Sequence, residues 1–335
     1  MVFMNKKICL IITFIISAVM LCSCGEGTSI LNTFYGDLQT NEEGGIADAP
    51  LSRADSFASK IAVVPEGSAN SEGSERVHSD AALLVDVSDG TVLFQKNAHK
   101  REYPASTTKI LTSMLALKYG DTSASRKIGE EVIIHEDNVV LCDFRVGDVI
   151  PFDILINAAL LRSGNDAAAA LALFAAPTLE EFAELMNKEA REIGATESNF
   201  VNPHGLYDDN HYTTAYDMYL ICNEAIKYDK FVKVLSTVKY QSSFTRTTAY
   251  GEYTINCEYT SGNLYLQGSA QAPEHIKVLG GKAGYTEKAR RSYVMLVESG
   301  GHRYIIVTMR AESNDDMYAD LDFLLQHIPD NNLEH

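Results

Sequence analysis

Beyond its first 24 residues the chain has only three cysteines, Cys142, Cys222 and Cys257. They are too widely separated to suggest a metal-ligand spacing or a disulfide framework. One bridge stays open as an alternative to buried free thiols. Positive charge is scarce as well: 28 Lys and Arg face 45 Asp and Glu, for a net charge of −17. So acidic a surface argues against nucleic acid as a partner. Long apolar runs are absent except near the start, where residues 8–21 are short for a membrane span. What remains is 46% hydrophobic and 22% charged over 335 residues. That is enough for a sizeable core in one large or two small domains.

The early run has the layout of a secretory signal. Lys6 and Lys7 precede it, and Leu21-Cys22-Ser23-Cys24 ends it. These four residues resemble a bacterial lipobox, which implies a signal peptide over 1–23 and diacylglycerol on Cys24. An uncleaved anchor or a plain secretory signal is the alternative. Loss of Lys6 and Lys7 without any acid takes the net charge to −19. Residues 24–76 then read as a lipidated N-terminus and flexible linker, since 65–75 show no apolar periodicity. The globular pattern runs from 77 to about 330, without an internal repeat.

Within that body, 81–87 and 91–95 flank Ser88-Asp89-Gly90, a hairpin signal. Helical patterns dominate from 106 to about 230. Strands return at 276–279, 292–298 and 303–310, followed by an amphipathic helix over 316–328. The expectation is a mixed α/β domain with an antiparallel sheet of about five strands drawn from both termini. Helices flank the sheet and form a subdomain of their own.

Ser106-Thr107-Thr108-Lys109 opens the helical stretch 106–119. Positions three apart share a helix face, so the Ser106 hydroxyl and the Lys109 amine can meet. A lysine serves as base to a serine when burial and cationic neighbours keep its amine neutral. Unpaired N–H groups at the helix start favour developing negative charge. A second Ser-x-x-Lys, Ser236 to Lys239, lies in a strand-or-loop context where the two side chains need not face each other. Ser163-Gly164-Asn165 sits at a corner between helical runs 154–161 and 167–175, which points its hydroxyl and amide outward. Its duplicate at 261–263 lacks helical flanks and reads as an ordinary turn. The third element, Gly280 to Thr286, is crowded with glycine, which permits close backbone approach. Lys282 within it attracts a carboxylate and favours a neutral Lys109.

Taken in order, Ser-x-x-Lys, Ser-Gly-Asn and Lys-x-Gly mark penicillin-interacting serine enzymes. The chain resembles the low-molecular-mass D-alanyl-D-alanine carboxypeptidases of the penicillin-binding protein type. The likeness extends through 104–112, 163–167, Phe200-Val201-Asn202-Pro203-His204-Gly205-Leu206 and 281–286. It implies a β-lactamase/DD-peptidase-like fold, peptidoglycan stem peptides and β-lactams as ligands, and no metal or cofactor. By motif, Ser106 is the nucleophile, Lys109 its base and Ser163 a proton relay. Asn165 positions the peptide and Lys282 engages its terminal carboxylate. Backbone N–H groups of Ser106 and Tyr285 form the oxyanion hole, with Gly284 and Thr286 completing the substrate strand. His204 reads as a loop organiser. The family's β-rich C-terminal domain has no counterpart here, so the lipid on Cys24 would supply the membrane attachment.

One position departs from the pattern. Ala283 stands where the family usually has Thr or Ser, whose hydroxyl binds the substrate carboxylate. Thr286, Arg290, Arg291 or a water are candidate substitutes. The departure motivates a rival reading, a non-catalytic muropeptide or β-lactam binding protein. A β-lactamase is the other rival. It needs a positioned glutamate, and Glu180, Glu181 and Glu184 fall in a helical run, 179–193.

Overall fold

The computed structural model describes residues 61–330. Signal, lipobox and the start of the linker lie outside these residues. Nine strands are named: β1 (Ala81–Asp86), β2 (Thr91–Lys96), β3 (Ser125–Lys127), β4 (Val149–Pro151), β5 (Lys239–Thr248), β6 (Gly251–Thr260), β7 (Lys277–Thr286), β8 (Arg290–Ser299) and β9 (His302–Ala311). The helices are α1 (Lys109–Tyr119), α2 (Phe152–Asn157), α3 (Asn165–Ala172), α4 (Leu179–Glu192), α5 (Ala215–Ala225), α6 (Asp229–Leu235) and α7 (Asn314–Leu325). The main sheet is antiparallel with order β2-β1-β9-β8-β7, so its strands come from both ends of the domain.

The central strands read as continuous apolar runs because both faces of the sheet are covered. Leu83, Val85, Val294, Leu296, Ile305 and Val307 join the helical core. The alternate residues Ala82, Leu84, Met295, Val297 and Ile306 meet Met317, Leu321 and Leu324 of α7. Helix α1 is buried nearly all round: Ile110, Leu111, Met114 and Leu115 are inside, and so are Lys109, Thr112 and Ser113. A helix with so little polar surface lies between layers. Here it carries the first motif into the centre of the domain.

Two expectations change. Residues 61–76 pack on the domain where the sequence suggested a linker up to 76. Ala62 and Val64 are buried, and the Ala62 N–H donates to the Tyr219 hydroxyl at 2.9 Å. Ser71 N–H donates to Gln95 O at 2.8 Å, and Gln95 N–H returns a bond to Ser71 Oγ at 2.9 Å. The segment lacks apolar periodicity because polar bonds, mostly through the Asn70, Ser71 and Gln95 side chains, tie it to the outer strand β2 and the residue after it, covering an edge that would otherwise be exposed. The second change is β5–β6, a ten-residue ladder from Lys239↔Thr260 to Thr248↔Gly251. Its Ser, Thr and Tyr content leaves little hydrophobic alternation to read. The three thiols of the body are free.

Candidate active site

Ser106 lies in a tight 3-10 turn, Ala105–Thr108, that leads into α1. The residue before it, Ala105, is left-handed at φ 48°. Non-glycine residues seldom adopt this conformation, and it persists only where the surroundings enforce it. Gly205 supplies one constraint. Its φ is 85°, and a Cβ there would lie 1.8 Å from the Ala105 carbonyl oxygen. Gly284 on β7 supplies another, since its Cβ would meet Pro104 O at 2.8 Å and Ser106 N at 3.0 Å. The Ser106 turn is clamped between two backbones that only glycine allows so near.

Lys109 Nζ has three neighbours: Ser106 Oγ at 2.9 Å, Asn165 Oδ1 at 2.8 Å and the His204 carbonyl at 2.6 Å. Burial pushes its pKa well below the usual lysine range, and the charge of Lys282 adds to this. A neutral amine has two hydrogens and one lone pair. Asn165 Oδ1 and the His204 carbonyl accept the hydrogens, which leaves the lone pair for the Ser106 hydroxyl proton. Such an arrangement lets an amine take the proton of a serine hydroxyl.

Loop 200–206 is built to present that carbonyl. Asn202 Oδ1 accepts from Gly205 N–H at 2.7 Å, and Asn202 Nδ2 donates to Leu206 O. Thr112 Oγ donates to Pro203 O at 2.6 Å. His204 Nδ1 accepts from Leu206 N–H, and burial pushes the ring's pKa down to about 3, with Lys109 and His211 adding. A neutral His204 organises the loop, the role its sequence context suggested. His211, not singled out from sequence, accepts from Val201 N–H through Nδ1. Its Nε2 therefore donates to Thr108 Oγ, at 2.9 Å.

Ser163 ends a π-helical turn, Ala158–Arg162, in a left-handed conformation at φ 66°. Lys282 Nζ donates to Ser163 Oγ at 2.9 Å and to Ala283 O at 2.7 Å. Burial lowers its pKa to about 7. Asp166 holds the wall beside this motif, accepting from the backbone N–H groups of Cys142, Phe144 and Ala167. Its carboxyl pKa is nevertheless raised, because burial outweighs those bonds.

A cleft of about 780 Å³ runs along β7, which ends the sheet. Ser106, Ser163, Asn165, Lys282, Ala283, Gly284, Tyr285 and Thr286 all line it. Thr286 Oγ accepts from Ala289 N–H at 3.0 Å and so shapes the β7–β8 turn. Ser236 and Lys239 of the second Ser-x-x-Lys do not pair: Ser236 closes α6 while Lys239 ion-pairs with Glu258 at 2.9 Å. The second Ser-Gly-Asn is more than a turn, because Gly262 and Asn263 line the cleft. Glu180, Glu181 and Glu184 lie on α4, and none lines the cleft. Among the described residues Asp86, Asp89 and His302 have metal-compatible spacing, but none of them reaches the cleft.

A buried lysine on a serine hydroxyl, at the open edge of an antiparallel sheet backed by helices, defines a serine acyl-transfer enzyme. The chain belongs to the D-alanyl-D-alanine carboxypeptidase family, whose model matches residues 68–313. It is 29% identical over 274 residues to D-alanyl-D-alanine carboxypeptidase DacF of Bacillus subtilis, covering 79% of this chain and 67% of that one. With DacA of Escherichia coli it shares 30% identity over 71% of this chain and 57% of the relative. The crystal structure of a D-alanyl-D-alanine carboxypeptidase from Mycobacterium tuberculosis superposes with a TM-score of 0.64 at 25% identity. The match covers 80% of this chain and 97% of that one.

Proposed function

We propose that the chain removes the terminal D-Ala from peptidoglycan stem peptides through an acyl-enzyme on Ser106. The observation that carries this reading is the neutral-leaning Lys109 amine 2.9 Å from Ser106 Oγ. Ser106 attacks the carbonyl of the penultimate D-Ala while Lys109 takes its proton. The oxyanion meets the N–H groups of Ser106 and Tyr285, at about 3 kcal/mol per donor. Ser163, bonded to Lys282, relays a proton to the departing D-Ala nitrogen. Asn165 orients both Lys109 and the peptide. Water then attacks the ester, with Lys109 again as base. β-Lactams present a strained amide and a carboxylate to the same groups, so they acylate Ser106 as substrate mimics.

No helix of the described residues is long and apolar enough to cross a membrane. Cleavage before a diacylglyceryl Cys24 would place the domain outside the cytoplasm on a lipid anchor. Support for that step comes from the Leu21-Cys22-Ser23-Cys24 sequence. Fluorescent penicillin tests the catalytic reading: label should map to the Ser106 peptide and vanish in Ser106→Ala. Release of D-Ala from an acyl-D-Ala-D-Ala peptide should vanish with it. Label elsewhere would sink the assignment. Mass spectrometry of the membrane fraction tests the anchor, where an unmodified N-terminus at another residue would refute it.

A further inference from the structure

We propose that Arg291 is the specificity-determining cation for the substrate's C-terminal carboxylate, taking over the contact that a hydroxyl at position 283 would make. The inference deepens the carboxypeptidase reading and rests on it. Sequence leaves Arg290 and Arg291 equivalent, and the structure separates them. Arg290 is neutralised by Glu312, whose carboxylate lies 3.2 Å from its Nε. Arg291 makes no ion pair among the described residues, although it lines the cleft. Its guanidinium is held 3.9 Å over the Tyr285 ring, which positions the charge without neutralising it.

Register puts it where the carboxylate should lie. Ala283 pairs with Tyr293, and Tyr285 with Arg291. Side chains of paired residues share a face, so Arg291 is the diagonal neighbour of Ala283, within reach for a long side chain. The exposed methyl of Ala283 leaves space above β7 that Arg291 can enter. Lys282 fits the task less well. It is buried, and two of its donors already serve Ser163 and Ala283 O. Its pKa of about 7 also makes its charge incomplete at neutral pH, whereas a guanidinium stays charged. Arg162 and Lys288 line the cleft as well. Neither lies on β7 or β8, so neither has a register position beside Ala283.

The test uses the full-length protein with an acyl-D-Ala-D-Ala peptide, its C-terminal amide, penicillin and a penicillin carboxylate ester. Arg291→Gln should raise KM for the free acid about ten- to one-hundred-fold, the range of a charge-assisted hydrogen bond, with kcat changed less than three-fold. Arg291→Lys should recover part of the loss. The amide should respond less than two-fold, and Lys277→Gln, on the same strand as Ala283 but outside the cleft, should match wild type. A KM unchanged in Arg291→Gln, or equal losses for acid and amide, would overturn the proposal. Should the wild type release no D-Ala yet react with penicillin, the carboxypeptidase reading fails alone. Arg291 is then judged by acylation rates, where penicillin should slow about ten-fold and its ester should not.

Discussion

Asn165 Oδ1 accepts a hydrogen bond from Lys109 Nζ at 2.8 Å, and no carboxylate takes its place against that buried amine. The amide orients the lysine without placing a negative charge beside it, which suits the base role proposed for Lys109. Asn165→Asp reverses this. An adjacent negative charge raises a lysine pKa, so Lys109 should stay protonated to higher pH. Penicillin acylation at pH 7 should fall at least one-hundred-fold, and the rising acid limb of its pH profile should move up by a unit or more. An unshifted profile would show that Lys109 is not the base.

Lys282 sets a stability signature. Its folded-state pKa is depressed to about 7, below the value near 10.4 of an unfolded chain. Between these two values the unfolded state binds more protons, so the lysine's contribution to stability becomes less unfavourable as pH rises. Below about pH 7 its buried charge opposes folding in full. Lys282→Met should therefore raise the thermal midpoint at pH 6, with the gain shrinking toward pH 10, while abolishing D-Ala release. A gain independent of pH would contradict the assigned cause.

The two glycines at the nucleophile turn should fail differently. Gly205→Ala meets both a left-handed backbone and a 1.8 Å overlap with Ala105 O, so it should cost about 2–4 kcal/mol in denaturant unfolding and remove acylation. Gly284→Ala faces steric contact alone, at 2.8 Å from Pro104 O. It should cost less stability and still slow acylation at least ten-fold, because the added methyl pushes β7 off Ser106.

Local spacing made part of the site legible. Ser106 and Lys109 are three residues apart on one turn, so sequence alone brought them together. Lys282 and Ser163 are 119 residues apart, and only resemblance to a family joined them beforehand. The His204 carbonyl that orients Lys109 had no sequence signal, since every residue carries a carbonyl and only the loop path selects one. Asn263 was read as a turn because nothing local reveals that its loop borders the cleft. The main sheet was legible from its apolar strands, whereas β5–β6 was not, because it buries little. The polar bonds that tie 69–71 to β2 left no compositional trace either.

Ala283 offers the sharpest functional prediction. The position is exposed on β7, so threonine fits without repacking and suits a strand. Its hydroxyl would add a donor for the terminal carboxylate, and Ala283→Thr should raise kcat/KM for an acyl-D-Ala-D-Ala peptide about ten-fold. The gain should fall below two-fold for the C-terminal amide. Groups that bind one carboxylate do not act independently, so the cycle with Arg291 is informative. In an Arg291→Gln background the carboxylate lacks its cation, and the new hydroxyl should give a larger gain than in wild type. Equal gains in both backgrounds would mean the two positions serve different parts of the substrate. No gain in a correctly folded Ala283→Thr protein would show that Arg291, Thr286 or bound water already satisfies the carboxylate fully.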